Sequence, residues 1–249
     1  MLNFKRIIGI VLILALFVCS FASCKKHVEK PADPVGDANK ALTENTYFVQ
    51  SSLNYTSEDA EMLAAIESFR APTMKIRVNG DKFEGTLDVT HGNAINYITY
   101  TFVDGVLYTE WKENGKTVQN KQTIGDEQRA TLKDNFGVGA NVTSDDFNKV
   151  VTEEVDGKTV VKCSDIKDET LFALVNAFKN ELAAANISAS TALKNVTLDI
   201  EIVDGKYDTV LLSCEYYIAT ATDSYSIGMT YSSKFTYGGN FEIVAPDFD

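Results

Sequence analysis

Residues 72–122 read PTMKIRVNGDKFEGTLDVTHGNAINYITYTFVDGVLYTEWKENGKTVQNKQ and contain a series of short strand-like segments separated by polar turns. In the segment 74–78, MKIRV, apolar and charged residues alternate, which places the apolar side chains on one face of a strand. Asp104-Gly105 and Asn114-Gly115 tolerate the positive φ angles of tight hairpins. This stretch therefore predicts antiparallel strands that pair with their neighbours along the chain.

The same pattern returns in the second half of the sequence. The triplet Val-Asp-Gly occurs at 103–105, 155–157 and 203–205, each time between two strand-like segments. Residues 196–203 form the clearest strand, because apolar and polar residues alternate through the whole segment. The recurrence has two explanations, a duplicated strand pair or the general preference of Asp-Gly for tight turns, and the sequence leaves both open.

Three segments have helical rather than strand-like spacing. The clearest is 165–185, where a single apolar stripe is formed by Leu171, Leu174, Val175, Phe178 and Leu182. A shorter helix is predicted to follow Thr56, ending before Pro72, and another at 126–135. About ten strands and three helices in one continuous pattern predict a single α+β domain.

The N-terminal residues have the features of an export signal. Lys5-Arg6 precedes the apolar run 7–18, which is shorter than the ~20 residues of a membrane-spanning helix. The sequence Phe21-Ala22-Ser23-Cys24 resembles the lipobox of bacterial lipoproteins, in which the cysteine is acylated and becomes the mature N-terminus. The alternative is a signal peptide that is cleaved elsewhere and leaves Cys24 unmodified.

These features predict three regions in the chain. Residues 1–23 would be a lipoprotein signal peptide, 24–44 a flexible membrane tether rich in proline and charge, and 45–249 the folded domain. The formal net charge of the chain is −12. Such an acidic surface disfavours binding to nucleic acid and to anionic membrane surfaces. We therefore expect no nucleic-acid partner, and we expect contact with the membrane through acyl chains on Cys24.

The residues that could carry catalysis are few and dispersed. The two histidines of the chain, His27 and His91, lie far apart in the sequence, and no set of ligands has the tight spacing of a zinc site. Cys163 and Cys214 alternate with apolar neighbours, which indicates buried core thiols. The strand 196–203 should separate them, so we expect them to be unpaired. We therefore expect no enzymatic activity, no metal and no cofactor.

The order of the predicted elements resembles that of the LolA/LppX-type extracytoplasmic lipoproteins. The similarity covers 45–249 and includes the segments 100–108 and 241–246 and the long helix before the last strands. It implies a curved antiparallel sheet, a half-barrel, with helices over its concave face and a hydrophobic cavity between them. The expected lining is the stripe Leu171, Leu174, Val175, Phe178 and Leu182 together with Met74, Ile76, Leu198, Ile200 and Leu212 of the sheet.

Two functions follow from this reasoning. The first is an extracytoplasmic protein, anchored to the cell membrane or outer membrane through Cys24, that binds or shuttles a lipid-like ligand in the cavity. The alternative is a non-enzymatic interaction or structural module of the cell envelope with a fully packed core. The space between the sheet and the helix at 165–185 distinguishes them, because a ligand requires a gap and a solid core leaves none.

Overall fold

The computed structural model describes residues 33–60, 70–91, 94–113, 115–126, 128, 142–184 and 188–248. In these residues the chain forms an eleven-stranded antiparallel sheet, two α-helices and a short 3-10 turn. The helices are α1 (Pro34–Glu44) and α2 (Asp168–Ala184), and the 3-10 turn is Ser144–Asp146. The strands are β1 (Tyr47–Thr56), β2 (Arg70–Asn79), β3 (Lys82–His91), β4 (Ala94–Val103), β5 (Val106–Glu113), β6 (Lys116–Thr123), β7 (Phe147–Val155), β8 (Lys158–Ile166), β9 (Ser190–Val203), β10 (Lys206–Ala219) and β11 (Ser224–Tyr237).

The sheet consists of two meanders joined side by side. Its strand order is β6-β5-β4-β3-β2-β1-β11-β10-β9-β8-β7, so β1 to β6 run outward to one edge and β7 to β11 return from the opposite edge. The meanders meet where β1 pairs antiparallel with β11, from Tyr47 opposite Tyr237 to Thr56 opposite Gly228. Strands β6 and β7 are therefore the two edges of an open sheet.

The three Val-Asp-Gly triplets form the β4–β5, β7–β8 and β9–β10 turns, which confirms the hairpins predicted from them. Asp104, Asp156 and Asp204 have φ angles of 52°, 52° and 50°, and the glycine after each also has a positive φ. Aspartate accepts this conformation more readily than most residues and glycine accepts it without steric cost. The predicted strand at 196–203 is confirmed as part of β9.

The two sides of the sheet differ in chemistry. One side, called the core side, carries the apolar residues of the alternation and includes Val49, Ile76 and Leu198, all of which are buried. The opposite side, called the polar side, carries the residues between them, such as Gln50 and Lys75, which are exposed. This division follows from the period of two along each strand.

Helix α1 lies against β9 and β10 and corrects the prediction that 24–44 is a flexible tether. The side chain of Asp33 accepts a hydrogen bond from the Gly36 amide at 3.0 Å and caps the helix. Ala38 is fully buried, and the Tyr207 hydroxyl donates to Oδ1 of Asn39 at 2.8 Å. The stripe Val35, Ala38 and Leu42 is short but sufficient to dock one helix face. Residues 24–32 lie outside the described residues.

The prediction of a half-barrel with helices over its concave face is wrong. The chain forms one large open sheet. In the described residues, α1 lies against β9 and β10, and α2 lies against β9. The physical reason is the pairing of β1 with β11, which sets the two meanders in a row. Strands β6 and β7 then lie ten strand intervals apart, ~48 Å along the sheet, and do not pair.

The helix predicted at 165–185 is confirmed as α2. Most of the helix predicted after Thr56 and most of the one predicted at 126–135 lie outside the described residues. Within the part of the chain that the structure describes, no helix has the length and apolar character needed to span a membrane.

Candidate functional site

The sheet residues predicted to line a ligand cavity lie on the core side of the sheet. Leu198 on β9 is directly opposite Leu212 on β10, and Ile200 follows two residues later on the same side. Their side chains are 2%, 3% and 1% exposed, and that of Ile76 on β2 is 1% exposed. A side chain that borders an open cavity retains accessible surface, so these four residues are packed against protein atoms. Met74, two residues before Ile76 on the same side of β2, is half-buried.

The helix residues predicted for the same cavity lie on α2. Leu171, Leu174 and Val175 are half-buried and pack against the core. Phe178 and Leu182 belong to α2, but their side chains lie outside the described residues. The structure thus brings three members of the stripe to the same hydrophobic core as Leu198, Ile200 and Leu212.

Two buried hydroxyl groups at the centre of the core side face each other. Ser51 on β1 and Ser233 on β11 are directly opposite each other, 1% and 0% exposed, and their hydroxyl oxygens are 2.8 Å apart. A hydrogen bond between them removes the penalty of burying two hydroxyl groups. This pairing requires close contact of the two strands at the centre of the sheet.

The two thiols are free and buried, which confirms the sequence interpretation. Cys163 on β8 and Cys214 on β10 are separated by β9, which pairs with both strands. Burial raises the pKa of Cys163 to about 11, with a further contribution from the Asp199 carboxylate. Burial raises the pKa of Cys214 to about 12, although a hydrogen bond with Tyr216 acts in the opposite direction. Neither thiol is a ready nucleophile at neutral pH, because the thiolate is the reactive form.

The polar side presents a continuous row of hydrogen-bonding side chains across nine strands. Each member is directly opposite the next through the strand register, and every one is exposed or half-buried. The row spans ~38 Å at the usual strand spacing. Its members, from β9 to β6, are Glu201, Thr209, Lys234, Gln50, Lys75, Thr86, Thr99, Glu110 and Gln119.

Charged residues at one end of this row form a connected network. Lys158 on β8 contacts Glu201 at 2.8 Å and Asp208 at 3.0 Å, and Lys234 on β11 contacts Asp208 at 2.5 Å. Partial burial alone would raise the pKa of Asp208, but hydrogen bonds from the two lysines lower it. The network joins four strands of the second meander through their side chains.

The chain beyond β11, residues 238–248, returns across the polar side and is called the C-terminal strap. The guanidinium of Arg77 on β2 lies 5.4 Å from the centre of the Phe241 ring, and the Phe248 ring meets Tyr108 on β5 edge-on at 5.4 Å. Between these contacts Ile243 is 1% exposed, although it is not one of the buried residues that pack together in the hydrophobic core. The strap covers the part of the polar side near the β2–β3 and β4–β5 turns.

A cavity of about 490 Å³ lies beside the strap. Its wall combines the charged residues Asp81, Lys82, Asp104 and Glu242 with the apolar Phe102 and Ile243, so it lacks the predominantly apolar lining of a site for an acyl chain. Among the described residues, no group of three or more His, Cys, Asp or Glu side chains is arranged to hold a metal ion.

Sequence reasoning emphasised the apolar side of the sheet and missed the polar one. The row was visible in the alternation itself, since every apolar position of a strand implies a polar neighbour on the other face. The order of strands within the row depends on the β1–β11 pairing, which no local pattern indicates. The strap was also missed, because its contacts join residues more than 130 positions apart.

Comparison with known proteins gives little similarity. No protein-family model matches the sequence, and no match is found among curated protein sequences. The solved structure of MucB in complex with MucA(peri) aligns with 84% of this chain and 99% of its own at 10% identity, with a TM-score of 0.17. A tesB protein of Mycobacterium avium subsp. paratuberculosis aligns with 82% of this chain and 83% of its own at 9% identity, with a TM-score of 0.11. TM-scores this low do not establish a shared fold.

Proposed function

We propose that this protein is a non-enzymatic interaction module of the cell envelope, anchored through acyl chains on Cys24. The observation that carries the proposal is the packing of Ile76, Leu198, Ile200 and Leu212, whose exposed fractions are 1–3%. Ligand cavities commonly have volumes of ~300–1,000 Å³ and must keep their lining residues apart. A packed core supports binding at the outer surface instead.

The polar side of the sheet is the surface best suited to a partner. Strands hold their side chains at fixed spacings, so the row from Glu201 to Gln119 is a preorganised set of donors and acceptors. The row contains amides, hydroxyls and charges of both signs, and its members Thr99 and Gln119 are exposed. Such a surface suits an extended polar partner, and we propose another protein of the envelope.

The anchor is tested by fractionation. Cys24→Ala should move the protein from the membrane fraction to the medium or periplasm, because stable attachment requires acyl chains. If Cys24→Ala stays with the membrane, the anchoring part of the proposal is wrong.

The surface is tested by photo-crosslinking in cells that produce the full chain. A photo-reactive amino acid at Thr99, in the row, should give a discrete adduct with an envelope protein. The same group at Thr222, an exposed residue of the β10–β11 turn, is the matched control. Equal labelling from both positions, or no discrete adduct from Thr99, would contradict the assignment of the polar side.

The competing function is tested on the same material. Native mass spectrometry of protein purified from its own membrane should reveal no retained lipid beyond the anchor. A fluorescent fatty acid added to the purified protein should show no saturable binding. A stoichiometric lipid or saturable binding would restore the ligand-carrying function and overturn the proposal.

A further inference from the structure

The outer edge of β7 is an accessible edge with apolar side chains. The strand pairs with β8 on one side, from Phe147 opposite Ile166 to Val155 opposite Lys158. Val150, Val151 and Val155 are 46%, 43% and 43% exposed. Backbone N–H and C=O groups on such an edge can pair with another strand, which is why protein edges are normally protected.

The opposite edge, β6, has that protection. The strand reads KTVQNKQT and contains Lys116 and Lys121 but no acidic residue. Pairing two copies of β6 would bring four lysines together without a carboxylate in either strand. Lysine on an edge strand is a common device against such pairing. The strand β7 differs, because it carries both signs of charge, Lys149 and Glu153.

The geometry of antiparallel pairing limits how two copies of β7 can meet. Residues directly opposite each other have backbone groups that both point toward the neighbouring strand or both point away. The numbers of two opposite residues in identical strands must therefore differ by an even number. One residue is then opposite its own copy, and the two-fold axis passes midway between these two copies. The central choices are Val150, Val151 and Thr152.

Of these three registers, one matches the chemistry of the strand. An axis at Val151 pairs all nine residues of β7, from Phe147 opposite Val155 of the second copy onward. It sets Lys149 directly opposite Glu153 of the second copy, and symmetry creates this pair twice. An axis at Val150 sets Lys149 opposite a valine, and one at Thr152 sets Glu153 opposite a valine. Opposite charges facing each other stabilise paired strands.

We propose that two copies of this chain associate through β7, antiparallel, with the two-fold axis at Val151. The polar side near this edge carries both signs of charge within one chain, and Lys158 already contacts Glu201 there. Glu153 forms an ion pair with Lys162, and Asp199 and Glu201 follow on β9. Lys149 of the second copy would form an ion pair with the second carboxylate oxygen of Glu153, since Lys162 contacts the first.

The association joins the two sheets into one continuous sheet with both polar sides facing the same way. This follows because opposite residues of an antiparallel pair point to the same face. The proposal does not rest on the proposed function, since its partner is a second copy of the chain. Its test requires no envelope protein, so its failure is distinguishable from failure of the proposed function.

The test is cysteine cross-linking of the full chain carrying Cys24→Ala, under mild oxidation. Val151→Cys should form a disulfide-linked dimer, because the two Cα atoms would be ~4.5–5.5 Å apart, within disulfide range. Val155→Cys is the matched control: it has the same 43% exposure, but its two copies would be ~27 Å apart. The parent chain without an added cysteine gives the background from Cys19, Cys163 and Cys214.

Charge reversal provides the second measurement. Lys149→Glu sets like charges opposite each other twice and should weaken the dimer about tenfold by sedimentation equilibrium. Lys179→Glu, an exposed change on α2, should leave the dimer unchanged. Circular dichroism verifies the fold of each variant. A monomer at all concentrations, or equal cross-linking of Val151→Cys and Val155→Cys, would overturn the proposal.

Discussion

Truncation of Leu198 tests the packing on which the proposed function rests. Leu198 is 2% exposed and lies on β9 between Cys163 of β8 and Leu212 of β10, which are 1% and 3% exposed. Leu198→Ala removes three carbon atoms, and their transfer back to water costs ~2.4 kcal/mol at ~0.8 kcal/mol for each. Because paired strands cannot close around the site, a cavity term should raise the total to ~3–4 kcal/mol.

The matched control is Leu211→Ala, one residue before Leu212 on the same strand. Leu211 points to the polar side and is half-buried, so its truncation leaves no enclosed cavity. We expect a loss of ~0.5–1 kcal/mol, measured for both variants by urea unfolding with an unchanged dependence on urea concentration. If Leu198→Ala costs no more than Leu211→Ala, Leu198 borders a gap, and the inference of a solid core is refuted.

Three further changes test other contacts. Tyr207→Phe should lower the free energy of unfolding by ~0.5–1.5 kcal/mol in urea titrations, because it removes the hydroxyl that donates to Asn39 of α1 at 2.8 Å. Cys163 and Cys214, buried and with raised thiol pKa values, should react with a thiol reagent at pH 8 only after denaturation, without reductant. Gly85→Ala should destabilise the sheet by ~1–3 kcal/mol by thermal unfolding, because its Cβ would lie 2.7 Å from a side-chain carbon of β2.

Each of these predictions has a control within the chain. Tyr217→Phe removes a hydroxyl from a side chain that is 38% exposed and should change stability by less than ~0.5 kcal/mol. Gly125→Ala adds a Cβ with no heavy atom within 4 Å and should be close to neutral. For the thiols, labels that appear only after reduction would reveal a disulfide. Equal losses in Tyr207→Phe and Tyr217→Phe would contradict the docking of α1 by hydrogen bonding.

The raised pKa values of the two thiols also determine how the free energy of unfolding should change with pH. Their pKa values in the folded chain, about 11 and about 12, lie above the ~8.5 of an exposed thiol. Above pH ~8.5 the unfolded chain loses these protons while the folded chain retains them. The contribution to stability is therefore complete below that pH and decreases as the pH rises toward the folded values. Urea unfolding at pH 7 and pH 10, compared with Cys163→Ala, measures it.

Local structure was largely predictable from the sequence. The alternation in β1, β2 and β9 depends on the chemistry of successive residues, and the Asp-Gly turns depend on the φ preferences of two residues. The apolar stripe of α2 likewise followed from helical spacing. The burial of Cys163 and Cys214 could be inferred from their apolar neighbours in the alternation. The stripe of α1 was overlooked because its three apolar residues lie among charged ones.

The sequence alone thus determined which residues form strands, where the hairpins turn and which side chains of each strand face a core. The tertiary structure decided how the meanders join, and with that the open sheet, the polar row and the free edge at β7. Pairing of β1 with β11 brings together residues about 180 positions apart, such as Ser51 and Ser233. Backbone hydrogen bonds are the same for any pair of strands, so the choice of partner depends on how the whole core packs.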